Sequence, residues 1–225
     1  MNKKYLNVKL YFWLLFLACS IIFISFSKID LYIASLFYDG KSFPLTGTWI
    51  EGLLYHSVRP LIIFFALSSI VISIYNYTMK KNIFNINSRV IIYIVLVLSI
   101  APGLIVNAAL KENWGRARPA QIVQFGGQKE FSPAFIPSNQ DGYSFSSGHS
   151  AAAFSLLGFA LLAKRRKKIL ISIVIAYGAL VSLARMAAGG HFFSDVVTSF
   201  FIVYISTHIL YKLIFKEENT SGTHS

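Results

Sequence analysis

Six stretches of this chain carry no charged residue: Leu10 to Ser27, Pro60 to Met79, Val90 to Leu110, Ser150 to Ala163, Ile169 to Ala184 and Val196 to Tyr211. The first three reach roughly the 20 residues that a helix needs to cross about 30 Å of hydrocarbon. The last three become long enough only by taking in polar residues at one end, which puts those polar residues at a membrane boundary. Apolar residues make up 55% of the chain and charged ones 13%, a balance foreign to soluble domains. The expectation is an all-α polytopic membrane protein, one domain over residues 1–225, with six transmembrane helices in a bundle and a disordered tail at 216–225.

Basic residues set the orientation, because cytoplasmic loops near span ends are enriched in them. Lys3, Lys4 and Lys9 precede the first run, and Lys80, Lys81 and Arg89 lie between the second and third. Lys164-Arg-Arg-Lys-Lys168 separates the fourth and fifth, and Lys212 and Lys216 follow the sixth. Both termini are therefore expected in the cytoplasm, and the segments near 28–59, 112–149 and 185–195 on the outer face. Much of the net charge of +12 belongs to these inner loops. No basic amphipathic recognition element accompanies it, so nucleic acid is not an expected partner. The bilayer is, since the same loops can touch anionic head groups.

The single cysteine, Cys19, excludes an intrachain disulfide. Phe16-Leu-Ala-Cys19 has a faint lipoprotein look, but the apolar run continues to Phe26, as suits a retained span. Between Lys28 and Arg59, Tyr32, Phe37, Tyr38, Phe43, Trp49 and Tyr55 alternate with the turn formers Asp39-Gly40 and Pro44. That mixture suits a segment lying in the outer interface, where it could line a lipid entrance; a plain connecting loop is the alternative.

Three polar clusters sit at the outer ends of apolar runs, where polar groups are costly without a partner or a task. In Lys111-Glu-Asn-Trp-Gly-Arg-Ala-Arg118-Pro119, the turn at Gly115 lets Lys111 and Arg118 point at one anion. A phosphoryl group in transfer spreads charge over its equatorial oxygens, so its catalysis calls for positioned cations. Arginine grips phosphate bidentately and lysine acts as a point charge. Ser147-Gly148-His149 opens the fourth run, so the amides of Ser147 and Gly148 form a helix N-terminus suited to an anion. His149 could protonate a leaving alkoxide. His191 and Asp195 are four apart, hence on one face if the sixth helix begins near Gly190. An aspartate accepting from one imidazole nitrogen leaves the other free to attack phosphorus. Arg185 lies six residues before His191, and Gly189-Gly190 permits the reversal that brings it alongside.

These clusters resemble the three-part signature of the type 2 phosphatidic acid phosphatase family. That signature is Lys, six residues, Arg-Pro; then Pro-Ser-Gly-His; then Ser-Arg, five residues, His, three residues, Asp. Lys111 to Arg118-Pro119, Ser147-Gly148-His149 and Arg185 to His191 to Asp195 match it in order and spacing. The resemblance implies a six-helix membrane phosphatase that forms a phosphohistidine at His191, assisted by Asp195. His149 would be the acid, Lys111, Arg118 and Arg185 would hold phosphate, and no metal or other cofactor is required. Ser146 stands where proline is usual and Ala184 where serine is usual, which touches loop rigidity and one hydrogen bond.

Ala101-Pro-Gly-Leu-Ile-Val-Asn107, Asn113-Trp-Gly-Arg-Ala-Arg-Pro119 and Gly189-Gly-His-Phe-Phe-Ser-Asp-Val196 look most like the members that remove phosphate from the 4'-position of lipid A. This likeness implies a bacterial inner membrane location, a phosphorylated lipid substrate and no obligate protein partner. Relatives act on undecaprenyl diphosphate, phosphatidylglycerol phosphate or phosphatidic acid. A transporter that holds a phosphate head group would need the cations but not His191 with Asp195. A haloperoxidase would use a related anion site, but six spans suit a lipid. Glu112, Glu130 and Asp141 lack metal-ligand spacing. Arg116 reads as a further cation beside Arg118, for a second phosphate or a sugar, or as a solvated side chain. His208, inside the sixth span, reads as a buried packing or hydrogen-bonding residue, with a proton relay as the alternative, and His56 has no assigned partner.

Overall fold

The computed structural model describes residues 4–6 and 8–215; its regular elements are helices apart from a short antiparallel pair, β1 (Lys4–Tyr5) and β2 (Val8–Lys9), and most of 112–147 is irregular. The expected disordered tail at 216–225 and the basic residues Lys3 and Lys216 lie outside the described residues.

The apolar runs become helices. Leu10–Ser25 forms α1, which turns by 86° into α2, Lys28–Ser35. The second run is only part of a longer helix, α3, Trp49–Thr78. Thr48 caps it by accepting from the Glu51 amide, an arrangement that satisfies one free N–H of the first turn. The segment expected as outer loop up to Arg59 is therefore helical from Trp49, and Pro60 sits inside the helix. The third run is α4, Ser88–Leu98, capped by Asn87, and continues as a π-helix over Ser99–Lys111. Pro102 has no N–H to donate within that stretch, and wider i to i+5 turns often mark functional sites.

The fourth run gives two short helices, α5 (Gly148–Ser155) and α6 (Leu157–Leu162); the last two give α7 (Lys167–Ala187) and α8 (Phe193–Phe215). By length and composition, α3, α4 with its π-helical continuation, α7 and α8 can each cross a membrane, and the bent α1–α2 pair makes a fifth candidate. The α5–α6 unit is shorter, and it is also the most enclosed element. It packs on α3, α4, the π-helix, α7 and α8. Ala151, Ala153, Phe154, Leu157, Ala160 and Leu161 are buried, so this run is covered by the surrounding helices over most of its surface. By contrast Leu14, Leu15, Leu17 and Ile21 of α1 are exposed, as an acyl-facing helix requires.

At the end carrying the three clusters, Ala34, Phe43, Ala117, Ile122, Phe125 and Phe192 form one buried cluster. It seats α2, the α2–α3 connection and the loop after Arg116 against the turn that holds His191. The segment after Lys28 is thus packed against the site rather than a plain connector.

Candidate active site

The turn between α7 and α8 carries Gly189, Gly190 and His191. Gly189 adopts φ +63°, which favours glycine, and a side chain on Gly190 would displace the Arg185 guanidinium. The Gly190 amide donates to the Arg185 carbonyl at 2.9 Å, closing the reversal that the Gly-Gly pair suggested. His191 is not helical, however. α8 begins at Phe193, so the expected shared helical face with Asp195 is replaced by a cap: Asp195 Oδ2 accepts from the Phe192 amide at 2.8 Å.

Asp195 Oδ2 lies 3.7 Å from His191 Nδ1, beyond hydrogen-bond reach. The Ser144 carbonyl is nearer, 2.7 Å from the same nitrogen. A carbonyl can only accept, so Nδ1 carries the proton and Nε2 presents its lone pair. Asp195 supports this arrangement from behind, since Ser144 Oγ donates to its Oδ2 at 2.6 Å. The tautomer is set by a backbone carbonyl that the carboxylate holds in place, not by the carboxylate directly as spacing alone suggested.

Arg116 does not stand beside Arg118 as a cation for a second phosphate. It is fully buried, and its fork divides between two carboxylates. Nη1 donates to Asp195 Oδ1 at 2.5 Å and to Ser194 Oγ at 2.9 Å; Nη2 donates to Asp30 Oδ2 at 2.8 Å. Nε donates to the Ser132 carbonyl at 2.9 Å. The rings of Phe192 and Phe131 lie 4.4 and 5.7 Å from the guanidinium carbon and help to exclude water. Burial works against the Arg116 charge, but Asp195 and Asp30 more than restore it.

The remaining expected cations converge. Lys111 ends the π-helix, Arg118 precedes the 3₁₀ turn at Pro119–Gln121, and Arg185 lies in the last turn of α7. Their charges act on one another, and all three act on His149. Among the described residues Lys111 and Arg118 form no ion pair, whereas Arg185 Nη1 donates to Glu51 Oε1 at 2.6 Å. Arg185 Nε is buried without a hydrogen-bond partner among the described residues. The Tyr55 ring meets both Arg185 and His149: Arg185 lies over it at 4.9 Å, and His149 stacks on it at 3.9 Å. Beside them opens a cavity of about 490 Å³, lined by Glu51, Tyr55, His56, Arg118, Gln121, Arg185 and Gly190, among others.

Ser147 is the N-cap of α5. Its Oγ accepts from the Ser150 amide and hydroxyl, and its own amide donates to the Asp195 carbonyl. The buried Ser147 side chain therefore serves the helix; the anion-facing capacity expected of this cluster rests on the amides that follow. Gly148 fits tightly, since a Cβ there would lie 2.7 Å from Asn107 Oδ1. His208 packs as expected, stacked on Tyr204 with Nδ1 at the Tyr204 carbonyl, while His56 turns out to line the cavity.

Burial pushes His191 below the ordinary imidazole value of 6.5; Asp195 opposes the shift, and Arg185 and Arg118 deepen it. Its ring is thus neutral near pH 7 and able to act as a nucleophile. Among the described residues no group of three His, Cys, Asp or Glu side chains is placed to hold a metal ion. Chemically, the arrangement suits a dianion gripped by three cations, with an unprotonated imidazole nitrogen and a second imidazole at hand.

Sequence reasoning missed Asp30, Glu51, Ser144 and the inward turn of Arg116. Two of these left a trace. Asp30 and Glu51 are acids beside apolar segments in a chain with nine acidic residues, a placement that calls for a cation partner. Ser144 acts through its backbone and leaves no residue-type signal.

The PAP2 superfamily model matches residues 92–219. The chain is 38% identical over 206 residues to the lipid A 4'-phosphatase of Francisella tularensis subsp. novicida (strain U112), covering 88% of this chain and 91% of that protein. It is 30% identical over 205 residues to the lipid A 4'-phosphatase of Rhizobium leguminosarum, covering 84% and 88%. A lipid A 4'-phosphatase of Rhizobium etli is 39% identical over 104 residues, 44% of this chain and 40% of that one. No solved structure matches.

Proposed function

The chain belongs to the PAP2 superfamily, and from that membership we propose that it is an inner-membrane phosphatase that hydrolyses the 4'-phosphate of lipid A. The observation that carries the reading is the His191 ring: its protonated Nδ1 is held by the Ser144 carbonyl, so Nε2 is left as a nucleophile within the field of Arg185 and Arg118, which in turn act on Lys111.

Lys111, Arg118 and Arg185 take the equatorial oxygens of the phosphate, with Arg185 exchanging Glu51 for the substrate. His191 Nε2 forms a bond to phosphorus as the bond from phosphorus to the sugar oxygen breaks. The leaving oxygen takes its proton from His149, which enters the step as an imidazolium beside the bound dianion. Water then attacks the phosphohistidine, His149 accepts its proton, and inorganic phosphate leaves with His191 regenerated. Asp195 supports the positive charge that phosphorylation leaves on His191. Six spans are proposed: α1, α3, α4 with the π-helix, α5–α6, α7 and α8. The basic groups around Lys80, Lys164 to Lys168 and Lys212 favour cytoplasmic termini and an outward-facing site.

The test is phosphate release by the purified full chain in detergent with EDTA, across lipid A, phosphatidylglycerol phosphate, phosphatidic acid and undecaprenyl diphosphate, beside His191→Ala. Release from lipid A alone, absent in the variant, is expected. Release from another lipid instead would reassign the head group, and tight binding without release would make the protein a carrier.

A further inference from the structure

The carboxylate of Asp30 belongs to α2, beyond the 86° bend that follows α1, yet it reaches the group behind His191. It receives three donors: Arg116 Nη2 at 2.8 Å, the Ser194 amide at 2.9 Å and Ser194 Oγ at 2.5 Å. Burial, with Asp195 nearby, pushes the Asp30 carboxyl above its ordinary value, while Arg116 and Ser194 oppose that shift; because its contacts are donors only and one is a guanidinium, we take the carboxylate as ionised. Behind His191 there are then three buried charges linked through Arg116: Asp30 negative, Arg116 positive, Asp195 negative. Their sum is one negative charge. Arg116 with Asp195 alone would sum to zero.

The difference matters for the chemistry. A phosphoryl group on Nε2, with the proton retained on Nδ1, makes the His191 ring cationic. A neutral ion pair behind that ring would offer it little, because the Arg116 charge offsets that of Asp195. In a dry surrounding, charges a few ångströms apart are felt strongly, so the second carboxylate is not redundant.

We infer that Asp30 is a positioning residue for the reaction: by occupying one arm of Arg116 it keeps the buried group behind His191 net negative, so that Asp195 can stabilise the phosphorylated ring. This rests on the reading of His191 as nucleophile. The charged and titratable groups facing His191 are Asp195 from α8, Arg185 from α7, Arg118 from the preceding loop and His149 from α5. Those facing Asp30 are Arg116 and Asp195. Only Asp30 and Arg116 are altered in the test, so the other four stay constant.

The test compares full-length wild type, Asp30→Asn and the double variant Asp30→Asn with Arg116→Gln, in which the group returns to one negative charge. Turnover is measured on lipid A, and the His191 imidazole is titrated by nitrogen NMR, its signal identified by its loss in His191→Ala. Asp30→Asn should lower kcat on the order of 10- to 100-fold, by analogy with the loss of an outer partner behind a metal-ligating histidine. KM should change little, and the His191 titration midpoint should fall. The double variant should recover the midpoint and much of kcat. It also leaves one buried charge fewer unpaired than removal of Arg116 alone, so it keeps the question answerable if the single variant does not fold. An unchanged midpoint in Asp30→Asn overturns the inference. So does a double variant as impaired as the single one, because Asp30 would then matter as packing and not as charge. Absence of turnover in wild type, with the midpoint shift intact, would sink the phosphatase reading and leave the charge relation standing.

Discussion

Replacing Arg116 by Met probes the buried group most directly. The guanidinium makes four hydrogen bonds of 2.5 to 2.9 Å, two of them to carboxylates that are themselves buried. Methionine fills much of the same space but leaves Asp30 and Asp195 unpaired next to each other. Breaking a buried pair in this way costs about 3–5 kcal/mol, because a charge is left uncompensated. Here two are left, so the upper part of the range applies. A chain of this size loses about 2–4 °C of melting midpoint per kcal/mol, which makes the expected fall on the order of 10 °C or more. The internal comparison is Arg118→Met, at a half-buried site without an ion pair among the described residues, for which a change within about 1 kcal/mol is expected. Thermal unfolding of the detergent-solubilised proteins, followed by intrinsic fluorescence, reads both. Adding Asp30→Asn to Arg116→Met should raise the midpoint again, since one of the two stranded carboxylates is gone. Equal melting of the two arginine variants, or no recovery in the combination, would refute the account of Arg116 as a buried counter-ion.

Because His191 is held below its ordinary value of 6.5, the acid limb of kcat/KM should lie below that pH. The linked stability has the same sign: it is fully present above about pH 6.5 and is lost as pH falls toward the lower folded-state value; a limb above pH 6.5 would contradict the burial argument. Glu51→Gln should release Arg185 from its 2.6 Å partner and lower KM for the phosphate ester by about 5-fold, near 1 kcal/mol. A rise in KM would show that Glu51 orients Arg185 and does not compete with the substrate. Gly148→Ala places a methyl carbon 2.7 Å from Asn107 Oδ1, whose amide is tied to the Pro102 carbonyl, and should cost about 1–3 kcal/mol and displace His149. Asn107→Ala should rescue it in a combined melting and turnover assay; failure of rescue would locate the strain elsewhere.

The membrane character and the convergence of the site were legible in the residues because they rest on local properties. An apolar run free of charge must hydrogen-bond within itself, so α1, α4, α7 and α8 follow from composition along the chain. Ser147 caps a helix wherever such a run begins behind it, and Gly189-Gly190 permits one tight reversal, which delivers Arg185 to His191. Other features depend on what packs against what. Hydropathy does not separate a lipid-facing run from a protein-facing one, so the central place of α5–α6 appears only in the assembled bundle. The Thr48 cap that starts α3 turned an expected loop into the helix carrying Glu51 and Tyr55. Arg116 and Arg118 are two residues apart and alike in type, yet one is sealed between carboxylates and the other faces the cavity. That division is decided by the bend after α1, which brings Asp30 across 86 positions of sequence. The Ser144 carbonyl, common to every residue type, became the partner of His191 only through the folded loop. The amino-acid sequence by itself determined which reactive groups exist and at which ends of the apolar runs they lie. The tertiary structure decided their charge states, partners and tautomer, because these depend on distance and on the exclusion of water.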